Sequence, residues 1–181
     1  MTWTPRPPED PINGLLGTYY DDMYLNGNAY TRIDPNIDFD WDRYYKPEIL
    51  PYPDWFSIRW TGCILPRYSE SYTFSAWVDD GFSVRIWAEG QSYPTPFMWD
   101  GSFNQAEWYT GSISLEGGRS YHFEMTYFEH QIWATAKLYW QSASQPFELV
   151  PPSQFFHGEN CATTSTVTIT PTFTPVVTYT P

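Results

Sequence analysis

Alternation of apolar and polar residues runs through several short stretches of the chain and predicts β-strands. Side chains of a strand point alternately to its two faces, so every second residue of a half-buried strand is apolar. Four stretches show this alternation clearly: YTFSAWV, FSVRIW, YHFEMTY and ATAKLYW. The predicted inward positions are Tyr72, Phe74, Ala76 and Val78, then Phe82, Val84 and Ile86, then Tyr121, Phe123, Met125 and Tyr127, and finally Ala134, Ala136, Leu138 and Trp140.

Short connections join these four stretches in pairs. The Asp-Asp-Gly sequence at residues 79–81 links the first pair, and residues 128–131 link the second. We predict a β-hairpin at each connection. The segments FSIRW (56–60) and GLLGTYY (14–20) add further strands. Because short strands alternate with Gly- and Pro-rich turns and no segment has a convincing 3.6-residue period, the pattern predicts an all-β domain, either a β-sandwich or a barrel.

Composition agrees with one all-β domain and excludes two classes of partner. The chain has 181 residues, enough for one full core, and 20% of them are aromatic, which suits pleated strands. The net charge is −12 and the nine basic residues are scattered. Nucleic acid and anionic membranes require a concentrated positive face, so we expect no nucleic-acid partner. No apolar run approaches the roughly 20 residues of a membrane span, so we expect no membrane insertion.

The two ends of the chain differ in composition from the middle. Residues 1–12 form a Pro-rich lead-in without the apolar core of a signal peptide, and we expect any native signal peptide to have been removed. No charged residue follows Glu159, and the Thr/Pro repeats predict an extended stalk or linker over residues 158–181. The folded domain is therefore predicted over residues 13–157. Such spacers join domains of secreted or surface proteins, so we predict an extracellular location, with other domains of the same chain as partners through the stalk.

A series of segments, in order and at their spacing, resembles one known family. They are GLLGTYY, IDFDW, FSIRWTG, YTFSAWVDDGFSVRIW, SLEGGRSYHFEMTYFE, AKLYW and VPPSQFF. Together they resemble the PA-fourteen domain, named after the amino-terminal segment of a bacterial toxin protective antigen and also found in fungal flocculins and adhesins. The resemblance covers residues 13–156. It implies a single antiparallel, jelly-roll-like β-sandwich with long loops, extracellular, used as a carbohydrate-binding or adhesive module.

Asp79 and Asp80 match the metal motif of the adhesin branch of that family. In that branch, two consecutive aspartates joined by a cis peptide bond hold Ca²⁺, and the ion chelates sugar hydroxyls. The resemblance therefore implies that Asp79 and Asp80 bind both calcium and sugar. It also implies that the loop Glu129-His130-Gln131-Ile132 supplies the remaining protein oxygens. Adjacent carboxylates repel each other unless a cation lies between them, and calcium prefers a cage of six to eight oxygens, which supports the same prediction.

One departure from the family pattern concerns this loop. Lectin-like members place an Asn there, whereas this chain has none between residues 129 and 132. Glu129 offers a hard oxygen in its place, but its charge also competes for the position of a sugar hydroxyl. The sequence therefore predicts calcium binding more strongly than sugar binding.

The Asp-Asp-Gly corner has a second interpretation as a plain tight turn. Asp tolerates unusual φ values and Gly takes a positive φ, so Asp79, Asp80 and Gly81 suit a turn without any metal. In that case the domain is a structural or protein-interaction module with an empty corner and no lectin activity.

Exposed aromatic residues provide candidates for sugar stacking. The insertion SYPTPFMWDGSFNQAEWYT (92–110) carries Trp99 and Trp108, which we consider as one wall of a ligand site near the corner. The alternative is that the rings of this insertion only hold a long loop in place.

A second acidic stretch, DPNIDFDWD, carries Asp34, Asp38, Asp40 and Asp42. Counted from Asp38, the sixth position is Arg43 and the twelfth is Ile49, where an EF-hand requires Gly and Glu. We interpret this stretch as a solvated loop anchored by Trp41 and not as a second metal site.

No catalytic arrangement is predicted. Glycoside hydrolysis needs two carboxyl groups about 5–10 Å apart across a cleft, whereas neighbouring Asp79 and Asp80 would share one ion. The three histidines, His122, His130 and His157, lie on an outward strand face, in a loop and at the domain end. We therefore expect a protein that is not an enzyme.

The two cysteines are predicted to form a disulfide. Cys63 follows RWTG at a strand end, and Cys161 lies where the predicted stalk begins. Because an extracellular pair of cysteines is usually oxidised, we expect this bond to tie the exit of the chain to the body of the domain.

Overall fold

The computed structural model describes residues 12–41, 46–157 and 161. The predicted lead-in up to residue 11, the predicted stalk apart from Cys161, and Asp42 lie outside the described residues. The described residues form thirteen β-strands in two antiparallel sheets that pack face to face. The prediction of an all-β sandwich is therefore confirmed. Over the same residues, no helix has the length and apolar character needed to cross a membrane.

The strands vary from two to ten residues in length. They are β1 (Ile12–Asn13), β2 (Leu15–Tyr20), β3 (Ala29–Asp34), β4 (Asp38–Trp41), β5 (Phe56–Ile64), β6 (Glu70–Asp79), β7 (Gly81–Trp87), β8 (Met98–Asp100), β9 (Glu107–Leu115), β10 (Tyr121–Glu129), β11 (Ala134–Gln141), β12 (Glu148–Leu149) and β13 (Phe155–His157).

Each sheet has a simple order of neighbours. The eight-stranded sheet runs β1-β13-β5-β10-β7-β8, and β2 pairs with β5 and carries β3 outside it. The five-stranded sheet runs β12-β11-β6-β9, and β4 also pairs with β11. All of the inter-strand pairs are antiparallel.

One aromatic-rich core fills the space between the sheets. Every inward position predicted from alternation is buried, with an exposure of 7% or less. Trp60 and Trp140 are the largest side chains that are fully buried. Burial of each such apolar side chain stabilises the fold by about 1.5–3 kcal/mol. The alternating pattern therefore identified the core faces of the four central strands correctly.

The two predicted hairpins are wrong. Strand β6 pairs with β9 and β11, whereas β7 pairs with β8 and β10, so residues 79–81 carry the chain from one sheet to the other. The connection from β10 to β11 crosses in the same way. Alternation reveals which side chains face inward but not which strand is the hydrogen-bonded neighbour, and both arrangements bury the same residues. Because Gly81 lies opposite Phe128 and Asp79 lies opposite Thr135, the two corners meet at one end of the sandwich.

The predicted disulfide is confirmed. Cys63 of β5 and Cys161 are bonded, with their Cα atoms 5.4 Å apart. Cys161 is buried. The bond therefore holds the chain beyond β13 against the eight-stranded sheet.

Candidate metal site and adjoining pocket

The corner between β6 and β7 places two carboxylates side by side. The peptide bond between Asp79 and Asp80 is cis, as predicted. Both residues are buried, with exposures of 7% and 6%. The β6 strand ends at Asp79 and β7 begins at Gly81, so Asp80 is the residue at which the chain changes sheets.

Close packing explains why a glycine follows the two aspartates. A Cβ atom at position 81 would overlap the ring of Phe128 on the neighbouring strand β10. The tight-turn interpretation assigns Gly81 a positive φ, but among the described glycines positive φ occurs at Gly14, Gly90 and Gly118. Gly81 therefore allows Phe128 to approach the corner, and its freedom of φ is not used.

Glu129 completes a cluster of three carboxylates. One oxygen from each of Asp79, Asp80 and Glu129 lies within 4.8 Å of the other two. Glu129 is the last residue of β10 and is only 1% exposed. Its Oε1 has no hydrogen-bond partner. A buried carboxylate oxygen without a partner costs free energy unless a ligand or a proton compensates it.

Backbone N–H groups and one hydroxyl orient the carboxylates. The Ala106 N–H donates to Asp79 Oδ2 (3.1 Å), and the His130 N–H donates to Asp80 Oδ2 (2.7 Å). The Tyr127 hydroxyl donates to the carbonyl oxygen of Asp79 and lies 3.0 Å from Glu129 Oε2. Alternation predicted Tyr127 as an inward residue, but a two-residue period carries no information about what its hydroxyl contacts.

Burial raises the pKa of all three carboxyl groups. Burial, followed by repulsion from Asp80, raises the pKa of Asp79 to about 6. Burial also raises the pKa of Asp80, against the stabilising N–H of His130. Burial, followed by repulsion from Asp80, raises the pKa of Glu129 to about 9. None of the ion pairs between described residues involves these carboxylates. The cluster therefore favours a bound cation or bound protons.

His130 takes a supporting position beside the cluster. Its backbone N–H holds Asp80, as described above, and its ring lies between two exposed aromatic residues. The ring centroids are 4.4 Å from Trp55 and 4.7 Å from Phe103. The imidazole is not among the side-chain groups that converge with the carboxylates in the described part of the chain.

The remaining predicted ligands also lie beside the cluster. The Gln131 carbonyl oxygen accepts a hydrogen bond from the Trp133 N–H (3.2 Å). The Ile132 N–H donates to Asp54 Oδ1 (3.1 Å), and Ile132 has a φ of 83°. Of the four predicted loop residues, Glu129 is the one that the structure brings to the cluster by its side chain.

A pocket of about 360 Å³ opens beside Asp79. Two indole rings, those of Trp77 and Trp133, line it together with Gln105 and Asp40. Trp133 is 53% exposed. A polar group that fixes orientation together with aromatic walls is the usual composition of a small-molecule site. The alternation in YTFSAWV puts Trp77 on the face opposite to the predicted inward residues, but neither Trp77 nor Trp133 was predicted to belong to a site.

The structure separates the two predicted stacking residues. Trp99 lies on β8 of the eight-stranded sheet, is 66% exposed, and does not line the pocket. Trp108 lies on β9 of the five-stranded sheet, with its ring 5.2 Å from that of Trp77. Trp108 therefore adjoins the pocket wall, whereas Trp99 lies on the other sheet.

The prediction that the second acidic stretch forms a solvated loop is wrong, because Asp38–Trp41 form strand β4, which pairs with β11. Asp34 is buried and accepts hydrogen bonds from three side chains. Asp38 and Asp40 lie 3.8 and 3.3 Å from Lys137 Nζ. Trp41 is buried in the core, which agrees with its predicted role as an anchor.

Comparison with known sequences gives two matches. The sequence profile of the PA14 domain matches residues 12–154. Anti-sigma-I factor RsgI3 from Acetivibrio thermocellus is 40% identical over 147 residues, which cover 81% of this chain and 22% of the relative. The chain thus spans about a fifth of the length of this curated relative.

Comparison with solved structures gives two kinds of neighbour. An anti-sigma factor domain-containing protein aligns with a TM-score of 0.74 and 36% identity over 82% of this chain and 49% of its own. A second anti-sigma factor domain-containing protein, from Clostridium clariflavum, aligns with a TM-score of 0.73 and 32% sequence identity. This alignment covers 82% of this chain and 48% of the other. The Epithelial Adhesin 6 A domain from Candida glabrata, solved in complex with Galb1-3GlcNAc, aligns with a TM-score of 0.64 and 16% sequence identity. This alignment covers 84% of this chain and 90% of the adhesin domain. The adhesin likeness shows a shared fold.

Proposed function

Because this chain belongs to the PA14 domain family, we propose that it is a calcium-dependent carbohydrate-binding module of a larger extracellular protein. The observation that carries this proposal is the three-carboxylate cluster at the cis Asp79–Asp80 corner, with one buried oxygen of Glu129 left without a partner.

The donor set fits calcium. Ca²⁺ binds six to eight oxygens at about 2.3–2.6 Å, so oxygens on opposite sides of the ion lie up to about 5 Å apart. The three carboxylate oxygens lie within 4.8 Å of one another, which is compatible with one shared ion. Hard carboxylate ligands without thiolate or imidazole favour calcium over zinc. A divalent cation would also compensate the burial and the mutual repulsion that raise the pKa values of Asp79 and Glu129.

Glu129 supports a site that is open on its outer side. It is more buried than Asp79 and Asp80, with an exposure of 1% against 7% and 6%. Its carboxylate therefore closes the inner side of the cluster, away from the position of an approaching sugar. When bound, calcium would offer its free coordination positions to sugar hydroxyls. Trp77 and Trp133 supply aromatic rings for the apolar face of a sugar in the adjoining pocket.

The geometry favours binding over catalysis. A glycosidase holds its two carboxyl groups about 5–5.5 Å or about 6.5–9.5 Å apart on opposite sides of the substrate bond. Here all three carboxylate oxygens lie within 4.8 Å and converge on one point. We therefore propose a module without enzymatic activity.

An extracellular location is supported by the disulfide between Cys63 and Cys161, because such bonds persist in oxidising compartments. The shared fold with adhesin domains supports the same location.

A second candidate is a domain that acts through protein contacts and uses the same sandwich without a sugar. The observation that favours it is the identity of 32–40% with proteins named as anti-sigma factors. In such a protein the domain would contribute to regulation and not to adhesion.

Calorimetry and a glycan array test the first proposal and separate it from the second. We expect one Ca²⁺ per chain with a dissociation constant of about 0.1–1 mM or tighter. Asp79→Asn or Asp80→Asn should weaken calcium binding by more than the roughly 10–100-fold that loss of an outer-shell partner costs, with the fold intact. Glu116→Gln, which removes an exposed carboxylate paired with Arg119, is the matched control.

The array then decides between the candidates. Glycan binding that disappears in EGTA and in Asp79→Asn supports the lectin proposal. Calcium binding without any glycan signal supports the protein-contact candidate. Absence of calcium binding at millimolar concentration contradicts the proposed metal site.

A further inference from the structure

The outer face of the five-stranded sheet carries a continuous aromatic surface. It consists of Trp77 on β6, Trp108 on β9, Tyr139 on β11 and Phe147 just before β12, and we call it the aromatic face. The ring centroids of Trp108 lie 5.2 Å from Trp77 and 5.3 Å from Tyr139. The rings of Tyr139 and Phe147 stack in parallel at 5.0 Å. Each ring therefore touches the next across the sheet.

The aromatic face is separate from the core. None of its four residues belongs to the buried core cluster of the described chain. Trp108 and Phe147 are each 52% exposed. Single exposed apolar residues are ordinary on a protein surface, but a contiguous group of large rings marks an interaction site.

Uncharged hydroxyl residues continue the aromatic face along the strands. Beyond Trp108, the outward positions of β9 are Thr110, Ser112 and Ser114, and all three are exposed. The Oγ1 of Thr73 on β6 lies 3.0 Å from Ser112 Oγ. Along β9, no charged residue occupies an outward position between Trp108 and Ser114, although the chain has a net charge of −12. On the same face of the sheet, Lys137 of β11 lies opposite Trp77 and is paired with Asp38 and Asp40. We call Thr73, Thr110, Ser112 and Ser114 the hydroxyl strip. Its uncharged hydroxyl groups suit a neutral partner that is itself rich in hydroxyl groups.

The aromatic face is continuous with the proposed calcium site. Trp77 and Asp79 are two residues apart on β6, so both side chains lie on the same face of the sheet, and both line the pocket. From Trp108 to Ser114 the strand advances about 20 Å at about 3.4 Å per residue. This surface is longer than a single sugar ring needs.

We propose that the aromatic face and its hydroxyl strip bind an internal segment of a long, uncharged polysaccharide that extends from the pocket along β6 and β9. This inference rests on the proposed carbohydrate-binding function and names its ligand class. Aromatic rings stack on the apolar faces of sugar rings, and the serine and threonine hydroxyls exchange hydrogen bonds with sugar hydroxyls.

Affinity gel electrophoresis of the whole chain with 1 mM calcium tests the proposal. The probes are the neutral polymers hydroxyethyl cellulose, mixed-linkage β-glucan, arabinoxylan and galactomannan, with polygalacturonate as the charged comparison. We expect at least one neutral polymer to retard the wild type, and Trp108→Ala with Phe147→Ala to weaken that affinity at least tenfold. Leu16→Ala is the matched control, because Leu16 is an exposed apolar residue on β2 of the other sheet. Circular dichroism and calcium calorimetry should show that the double variant is folded and binds calcium normally.

Different outcomes separate this inference from the proposed function. Loss of retardation in the double variant but not in Asp79→Asn supports the aromatic face and contradicts the calcium-dependent function. Loss in Asp79→Asn together with unchanged retardation of the double variant overturns the inference and leaves the proposed function standing. Retardation by polygalacturonate alone also overturns it. So does a change in oligomeric state of the double variant, measured by size-exclusion chromatography, without any change in polymer binding, because the face is then a protein interface.

Discussion

Asp34 and the three-carboxylate cluster show two ways in which this acidic protein buries carboxylates. Asp34 Oδ1 accepts from Arg32 Nε at 2.6 Å. Its Oδ2 accepts from the Tyr19 hydroxyl at 2.5 Å and from Trp60 Nε1 at 2.7 Å. Every oxygen of this buried group therefore has a donor, and the guanidinium of Arg32 supplies the compensating charge.

The cluster at the β6–β7 corner lacks such a charge. Its described donors are the N–H groups of Ala106 and His130, and the Tyr127 hydroxyl contacts Glu129 Oε2. Three buried carboxylates without a paired cation are unfavourable unless they are protonated or bind a metal. The chain itself therefore supplies the charge that compensates Asp34, whereas the described residues supply no such charge to the corner, which is the property that the proposed calcium site depends on.

The largest effect is expected from Asp34→Ala. This change removes the acceptor of three donors and leaves the O–H of Tyr19 and the indole N–H of Trp60 without an acceptor, so we expect a loss of about 3–5 kcal/mol in the free energy of unfolding. Chemical denaturation measures it. The matched variant, Asp79→Ala in calcium-free buffer, should lose much less, because it removes repulsion as well as a hydrogen bond. Equal losses in the two variants would show that Asp79 stabilises the calcium-free fold as much as Asp34 does.

The difference between the two sites was only partly predictable from sequence. Adjacent aspartates drew attention to Asp79 and Asp80, whereas the distant loop that begins at Glu129 entered the prediction only through the family resemblance. Asp34 looked like one more member of an acidic stretch. Its partners Tyr19 and Trp60 are 15 and 26 residues away, and no local pattern records that contact.

Prediction of the fold from sequence was limited in the same way, because local sequence does not record contacts between distant residues. Burial alternates locally along a strand, so the inward residues of the central strands were predictable. The neighbour of each strand is a non-local property, so the sheet change at residues 79–81 was not. The aromatic face has the same origin, because β6, β9 and β11 and the residue before β12 each contribute one ring. Alternation indicated outward positions for Trp77 and Tyr139, and Trp108 was a predicted stacking residue, but no local pattern showed that these rings lie next to one another.

The next effect concerns the pH dependence of the calcium-free protein. Burial raises the pKa of Asp79 to about 6 and that of Glu129 to about 9. A carboxyl group with a higher pKa in the folded than in the unfolded chain binds its proton more tightly when folded. Its contribution to stability is therefore fully present below the unfolded-state value of about 4 and is lost as the pH rises through the folded-state value.

Thermal unfolding in EGTA from pH 4.5 to pH 9 measures this contribution. We expect the melting temperature to fall more steeply with pH in the wild type than in the double variant Asp79→Asn with Glu129→Gln. Saturating calcium should remove most of the difference in the wild type, because the ion replaces the protons. If the melting temperatures of the wild type and the double variant change equally with pH in EGTA, protons on Asp79 and Glu129 do not neutralise the carboxylate cluster.

Tyr127→Phe should give a moderate effect at the corner alone. The hydroxyl donates to the carbonyl oxygen of Asp79 and contacts Glu129, so it orients two of the three carboxylate-bearing residues. Its removal should cost about 1–2 kcal/mol of stability and weaken calcium binding by about 10-fold, as for other outer-shell partners. Denaturation and calorimetry on one sample measure both values. Tyr19→Phe is the matched change at Asp34, and it should reduce stability without changing calcium affinity.

The smallest effect is expected from Asp38→Asn, which changes an exposed acidic group in contrast to the two buried sites. Asp38 Oδ1 lies 3.8 Å from Lys137 Nζ, and its side chain is 42% exposed. Solvent screens such a pair, and Lys137 retains Asp40 at 3.3 Å, so stability should change by less than about 0.5 kcal/mol. The calcium stoichiometry should also stay the same. If Asp38→Asn binds fewer calcium ions per chain than the wild type, the acidic stretch contains a second metal site and the exposed Asp38 is one of its ligands.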